Sequence, residues 1–173
     1  MLNNVTDYNT RITLGKSNEL NIINYLKSHG YNIELPTAHA DMHDKIDGFI
    51  IPKSGGRLSF QLKFRESGDD IIYEIIKDWD NNIEGRDLIS KAQLYVVVNR
   101  QGILSIFKTL DIKTKAIELL KLADANPIDQ SGNGWQIKFR NDVAHGNLKL
   151  MGYFSTKLFP LIASHRISNY NLN

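Results

Sequence analysis

Apolar positions first recur at helical spacing between Leu14 and Gly30, where Leu20, Ile22, Ile23 and Leu26 form one stripe. Ser17 is a helix-start residue type and His29-Gly30 a stop, so the spacing predicts a helix over that range. Glu19 precedes Ile22, Ile23 and Leu26 by three, four and seven positions, which aims its carboxyl along the buried side. The pattern then changes to period two. Tyr31 to Thr37 reads as a strand ended by Pro36, and Lys45 to Lys53 with Arg57 to Glu66 read as a β-hairpin turning at Ser54-Gly55-Gly56. On its second strand Phe60, Leu62 and Phe64 share one face and Ser59, Gln61, Lys63 and Arg65 the other, while on the first strand Asp47 has the parity of Phe49 and Ile51.

From Asp69 to Asp80 the pattern admits two readings. Ile71, Ile72, Ile75, Ile76 and Trp79 fit a helical stripe, yet the β-branched content suits an extended segment equally well. Asn81-Asn82 and Gly85 mark a loop, and Leu94 to Asn99 is an unbroken apolar run, the signature of a buried strand. Ile103 to Lys108 pairs back across Gln101-Gly102, and Asp111 to Asp124 is an amphipathic helix with Ile112, Ala116, Leu119, Leu120 and Ala123 inward. After the loop Asn126 to Gly134, Trp135 to Arg140 and Leu148 to Ser155 pair across Ala144-His145-Gly146, and the tail from Ala163 is expected to fray. Tyr73, Trp79 and Tyr95 are expected in the core; His145 and His165 receive no role. The order of elements predicts an α/β fold with a mixed β-sheet flanked by helices: a single domain, 1–173, with a core over about 14–99 and a C-terminal extension of sheet and helix over 100–173.

Composition narrows the chemistry. With 173 residues, 42% hydrophobic and 23% charged, the chain is an ordinary globular one, and zero cysteines exclude disulfides, thiolate metal ligation and thiol catalysis. No stretch approaches the roughly 18 apolar residues of a membrane helix, and the start MLNNVTDYNT lacks the apolar centre of a signal peptide, so no membrane partner and a cytoplasmic location are expected. A net charge of +2 permits nucleic-acid binding only through a local patch.

One constellation carries chemistry. Asp47 on one hairpin strand is followed 14 positions later by Gln61 and then Lys63 on the next, and Glu19 lies on the neighbouring helix. Gln61 and Lys63, two apart, project to one side. Two carboxylates and an amide oxygen are hard donors suited to Mg²⁺ or Mn²⁺, and a lysine beside such an ion can hold or help deprotonate an attacking water.

These residues, Ile46-Asp47-Gly48-Phe49-Ile50-Ile51 and Leu58-Ser59-Phe60-Gln61-Leu62-Lys63 with Glu19 on the preceding helix, resemble the PD-(D/E)xK nuclease superfamily. The resemblance covers about Leu14 to Asn99. It implies a restriction-endonuclease-like core, with metal ligands at Asp47 and Gln61, an accessory acid at Glu19, and catalytic support from Lys63. It also implies Mg²⁺- or Mn²⁺-dependent phosphodiester hydrolysis in nucleic acid, DNA before RNA, by a homodimer where both strands are cut. Two positions depart from the pattern: Gln61 stands where the family has an acid, a Q-x-K variant similar to that of Mrr-type and transposon-end nucleases, and Ile46 stands where it has proline. A neutral amide removes one negative charge from the site.

Each residue also has a plainer reading. Gln61 and Lys63 suit the solvated face of an amphipathic strand, Asp47-Gly48 a bulge or turn, and Glu19 a helix-capping arrangement. His39 and His43 have the i, i+4 spacing of paired metal ligands but lie among loop formers. Lys45, Lys53, Arg57, Arg65, Arg86 and Lys91 are the candidate nucleic-acid contacts, with Arg100 near them; a basic face of this size also serves solubility alone. The alternative to an enzyme is a catalytically inactive nuclease-fold module binding nucleic acid or a protein.

Overall fold

The computed structural model describes residue 17, residues 19–65 and residues 70–167. Helix α1 runs through residues 19–28, with Ser17 already helical; its expected start at Leu14 lies outside the described residues. Ile22, Ile23 and Leu26 are buried, but Leu20 is 51% exposed and leaves the stripe. The helix stops as expected: Gly30 takes φ 84°, its N–H donates to the Lys27 carbonyl at 3.1 Å, and Tyr31 N–H donates to Leu26 at 3.0 Å. This is the paired closure that a left-handed glycine permits.

Six strands form the first sheet: β1 (Asn32–Glu34), β2 (Gly48–Ile51), β3 (Leu58–Arg65), β6 (Leu94–Asn99), β7 (Ile103–Lys108) and β11 (Ala163–Arg166), in the order β1-β2-β3-β6-β7-β11. Only β3 and β6 run parallel. The second sheet is antiparallel throughout, in the order β5-β4-β10-β9-β8, from β4 (Asp70–Asp78), β5 (Ile83–Glu84), β8 (Gln130–Gly132), β9 (Trp135–Asp142) and β10 (Asn147–Ser155). Three further helices, α2 (Ala38–Met42), α3 (Arg86–Ile89) and α4 (Thr109–Ala125), complete a mixed α/β architecture.

Two cores hold the layers together. On one side of the first sheet, Phe60, Leu62, Val96, Val98, Leu104 and Ile106 pack against α1 through Ile22, Ile23 and Leu26. On the other, Tyr95, Val97 and Phe107 meet Ile71, Tyr73 and Ile75 of β4, Leu150 and Phe154 of β10, and Ile112, Ala116 and Leu119 of α4. Tyr73 and Tyr95 are core residues, as expected, and Trp79 packs partly buried at the same cluster.

Five expectations change. The ambiguous segment is strand β4: Ile71, Tyr73 and Ile75 alternate inward, and pairing with β10 selects the extended form. The tail does not fray at Ala163, because residues 163–166 pair with β7. The stretch after Gly85 is helix α3 rather than loop, and the His39 region is helix α2, capped by the Thr37 side chain. The C-terminal half extends the first sheet only through β7 and β11; β8, β9 and β10 build a second sheet on β4.

Candidate active site

The β2–β3 register sets Gly48 opposite Phe60, and Asp47 N–H donates to the Phe60 carbonyl at 2.9 Å. The backbone approach is close: a Cβ on Gly48 would collide with the Phe60 ring. Asp47 is 9% exposed, and its Oδ2 accepts the Leu62 N–H at 2.7 Å, so the carboxylate completes the ladder one residue beyond the strand. Its Oδ1 lies 3.7 Å from the Arg86 guanidinium. From α1, the Glu19 carboxyl lies beside Asp47. Burial first, then the Asp47 and Asp41 charges, push the Glu19 carboxyl up to about 7. Burial also raises Asp47, against the Leu62 N–H, Arg86 and Lys63, which pull it down.

On β3, Gln61 is 0% exposed, and the solvated-face reading of this residue fails: the second sheet and α3 cover that face. Gln61 Nε2 donates to Asp87 Oδ1 at 2.8 Å, and the Lys63 ammonium lies 2.7 Å from the same oxygen. Gln61 Oε1 is buried without a hydrogen-bond partner. A buried unpartnered amide oxygen is costly, and it is a fit donor for a cation.

Asp87 is the residue that sequence reasoning missed. It is 3% exposed, its Oδ2 accepts the Glu74 N–H at 2.7 Å, and its backbone carbonyl accepts the Tyr73 hydroxyl, also at 2.7 Å. In the sequence it looks like an ordinary first-turn acid of a short helix, and nothing local marks its position across from Gln61. Helix α3 is held at its start by Gly85, where a Cβ would collide with the Glu74 carbonyl, and at its end by Ser90 Oγ donating to the Lys45 carbonyl at 3.1 Å and Lys91 N–H to Asp44 at 2.9 Å. Those last bonds tie α3 to the turn that leads into Asp47.

The structure therefore joins Glu19 to Asp47 and Gln61 to Lys63, on one side of the hairpin, with Asp87 and Arg86 completing the cluster. The oxygen donors of this cluster are the Asp47 and Glu19 carboxyls and the Gln61 amide oxygen. Among the described residues no three His, Cys, Asp or Glu side chains gather as a metal cage. The rings of His39 and His43 are 4.6 Å apart, but Asp44, 4.0 Å from His39, is held at 2.7 Å by Lys91.

Of the candidate nucleic-acid contacts, Arg86 reaches the site. Arg57 lies over the Phe49 ring and 3.3 Å from Glu34; Arg65 pairs with Asp70 at 2.8 Å; Lys91 pairs with Asp44; Lys45 donates to the Met42 carbonyl; Lys53 is exposed near the hairpin tip. Compared with protein-family models, with curated proteins and with solved structures, the chain matches none. Among the described residues no helix is long and apolar enough to cross a membrane.

Proposed function

We propose that the chain is a divalent-metal-dependent nuclease, an endodeoxyribonuclease in the first instance, built on a restriction-endonuclease-like core. One observation carries this reading: the buried, unpartnered Gln61 oxygen sits on the same side of the hairpin as the Asp47 and Glu19 carboxyls and the Lys63 ammonium. The order α1, β1, β2, β3, β6, with β3 parallel to β6, supports the core, although β4, β5 and the four-residue α3 stand where the resemblance implies a crossover helix.

In this reading Asp47, Glu19 and Gln61 hold Mg²⁺ or Mn²⁺, which when bound polarises a phosphoryl oxygen and acidifies a water. The chain's own groups do the rest. Lys63 places a cation where negative charge develops on the phosphoryl group and orients the attacking water. Arg86, half exposed beside Asp47, offers a planar donor pair to a neighbouring phosphate, and binding of that kind weakens with salt. Cleavage of both DNA strands requires two such sites, hence a homodimer.

A second reading, a nuclease-fold module that binds nucleic acid or protein without cutting it, is favoured by the Lys63–Asp87 ion pair, which already engages the ammonium. Incubation of plasmid and oligonucleotide DNA with Mn²⁺ separates the two. Cleavage that falls about a hundredfold or more in both Asp47→Ala and Lys63→Ala supports the nuclease; DNA retention with no metal-dependent cleavage supports the module.

A further inference from the structure

A carboxamide raises a difficulty at a cation site that a carboxylate does not: one end is oxygen, the other is NH₂, and only one orientation can serve a metal. In this fold the orientation is decided by Asp87. Its Oδ1 lies 2.8 Å from Gln61 Nε2, and turning the amide over would set oxygen against oxygen at that distance. The oxygen is therefore the end left over, buried and unpartnered. Asp87 in turn cannot easily move, since the Glu74 N–H holds its other oxygen and Tyr73 holds its carbonyl.

We propose that Asp87 is a positioning residue of the metal site: it fixes the Gln61 carboxamide with the oxygen presented to the ion. The inference rests on the metal-dependent reading above and names the residue that makes Gln61 usable in it. Lys63 belongs to the same arrangement, because its ammonium is anchored 2.7 Å from the oxygen that orients the amide.

The test is a Mn²⁺ titration by calorimetry on four proteins: wild type, Asp87→Asn, Gln61→Glu, and the double variant. Asparagine at 87 offers Gln61 a donor as well as an acceptor, so the amide is free to reverse, and Mn²⁺ affinity is expected to drop about tenfold or more. A carboxylate at 61 has two equivalent oxygens and needs no orienting, and it meets Asp87 Oδ1 oxygen to oxygen, so in the Gln61→Glu background the same change at 87 is expected to cost nothing or to raise Mn²⁺ affinity. A merely structural Asp87 would cost both backgrounds alike. Equal affinity in wild type and Asp87→Asn, or an equal drop in both backgrounds, overturns the positioning role alone. A wild-type protein that takes up no Mn²⁺ overturns the metal reading, and this inference with it. Should Asp87→Asn not fold, the wild-type protein decides by nuclear magnetic resonance: slowed solvent exchange of the Gln61 carboxamide protons upholds the role, and rapid exchange overturns it.

Discussion

The two faces of strand β3 are both buried, and they are buried for opposite reasons. Phe60 at 1% and Leu62 at 5% exposure pack against α1 in an apolar layer that follows from the hydrophobic effect alone. One residue away on the other face, Gln61 and Lys63 enter a hydrogen-bonded and ion-paired network ending on Asp87. The first face stabilises whatever its details, because apolar contacts are non-directional. The second is favourable only if its groups are matched, since an unpaired buried polar atom loses its hydration without return. One such atom, the Gln61 oxygen, remains unmatched within the protein. Stability is thus concentrated on one face and a destabilising polar arrangement on the other, which is where strain is tolerated for function.

This contrast can be broken in order of effect. Phe60→Ala is expected to cost about 3–5 kcal/mol in denaturant unfolding, the range for removing a buried ring, while the folded fraction still takes up Mn²⁺. Gly85→Ala forces a methyl onto the Glu74 backbone and displaces the helix that carries Asp87; it is expected to cost about 1–3 kcal/mol and, unlike Phe60→Ala, to abolish Mn²⁺ uptake as well. Gln61→Leu keeps the volume and deletes the unpartnered oxygen but also the Nε2 donor to Asp87, whose Oδ1 keeps Lys63, so unfolding is expected to change by about 1–2 kcal/mol while Mn²⁺ uptake disappears. A loss as large as that of Phe60→Ala would show that the polar face is part of the core after all. The smallest effect lies outside both faces. Lys149, then His145, hold Asp142 down at about 2, below its ordinary 3.8. A depressed carboxylate contributes stability that is complete above pH 3.8 and lost as the pH falls through 2. Asp142→Asn is therefore expected to lower the melting temperature slightly near neutrality, to flatten the shallow acid-side decline over that window, and to match the wild type once the pH is below it.

The elements with one dominant period were legible in advance: Leu94 to Asn99 is a strand end to end, and the hairpin turns at Ser54-Gly55-Gly56. Local pattern failed where tertiary pairing decides. The residues of β4 satisfy both periods, and β10, distant in the chain, selects one. Residues 163–166 carry only polar and small side chains, with no apolar alternation to announce a strand, and their order comes from hydrogen bonds to β7. At the site, Asp47, Gln61 and Lys63 were legible because hairpin parity constrains them. Asp87 was not: its partner Gln61 is 26 residues away, and the contact is created by the packing of α3.

The pairing of β4 with β10 also sets an order of events as the chain leaves the ribosome. When the segment that becomes β4 emerges, only its short neighbour β5 follows at once; its long partner β10 comes after α4 and the β8–β9 hairpin. Until then Ile71, Tyr73 and Ile75 form an unpaired apolar edge, the kind of surface that recruits chaperones or neighbouring nascent chains. Because Glu74 and Tyr73 of that strand anchor Asp87, the polar cluster assembles only once β10 has been made, and truncations within β10 should yield a chain with β1, β2, β3, β6 and β7 paired and its polar cluster missing.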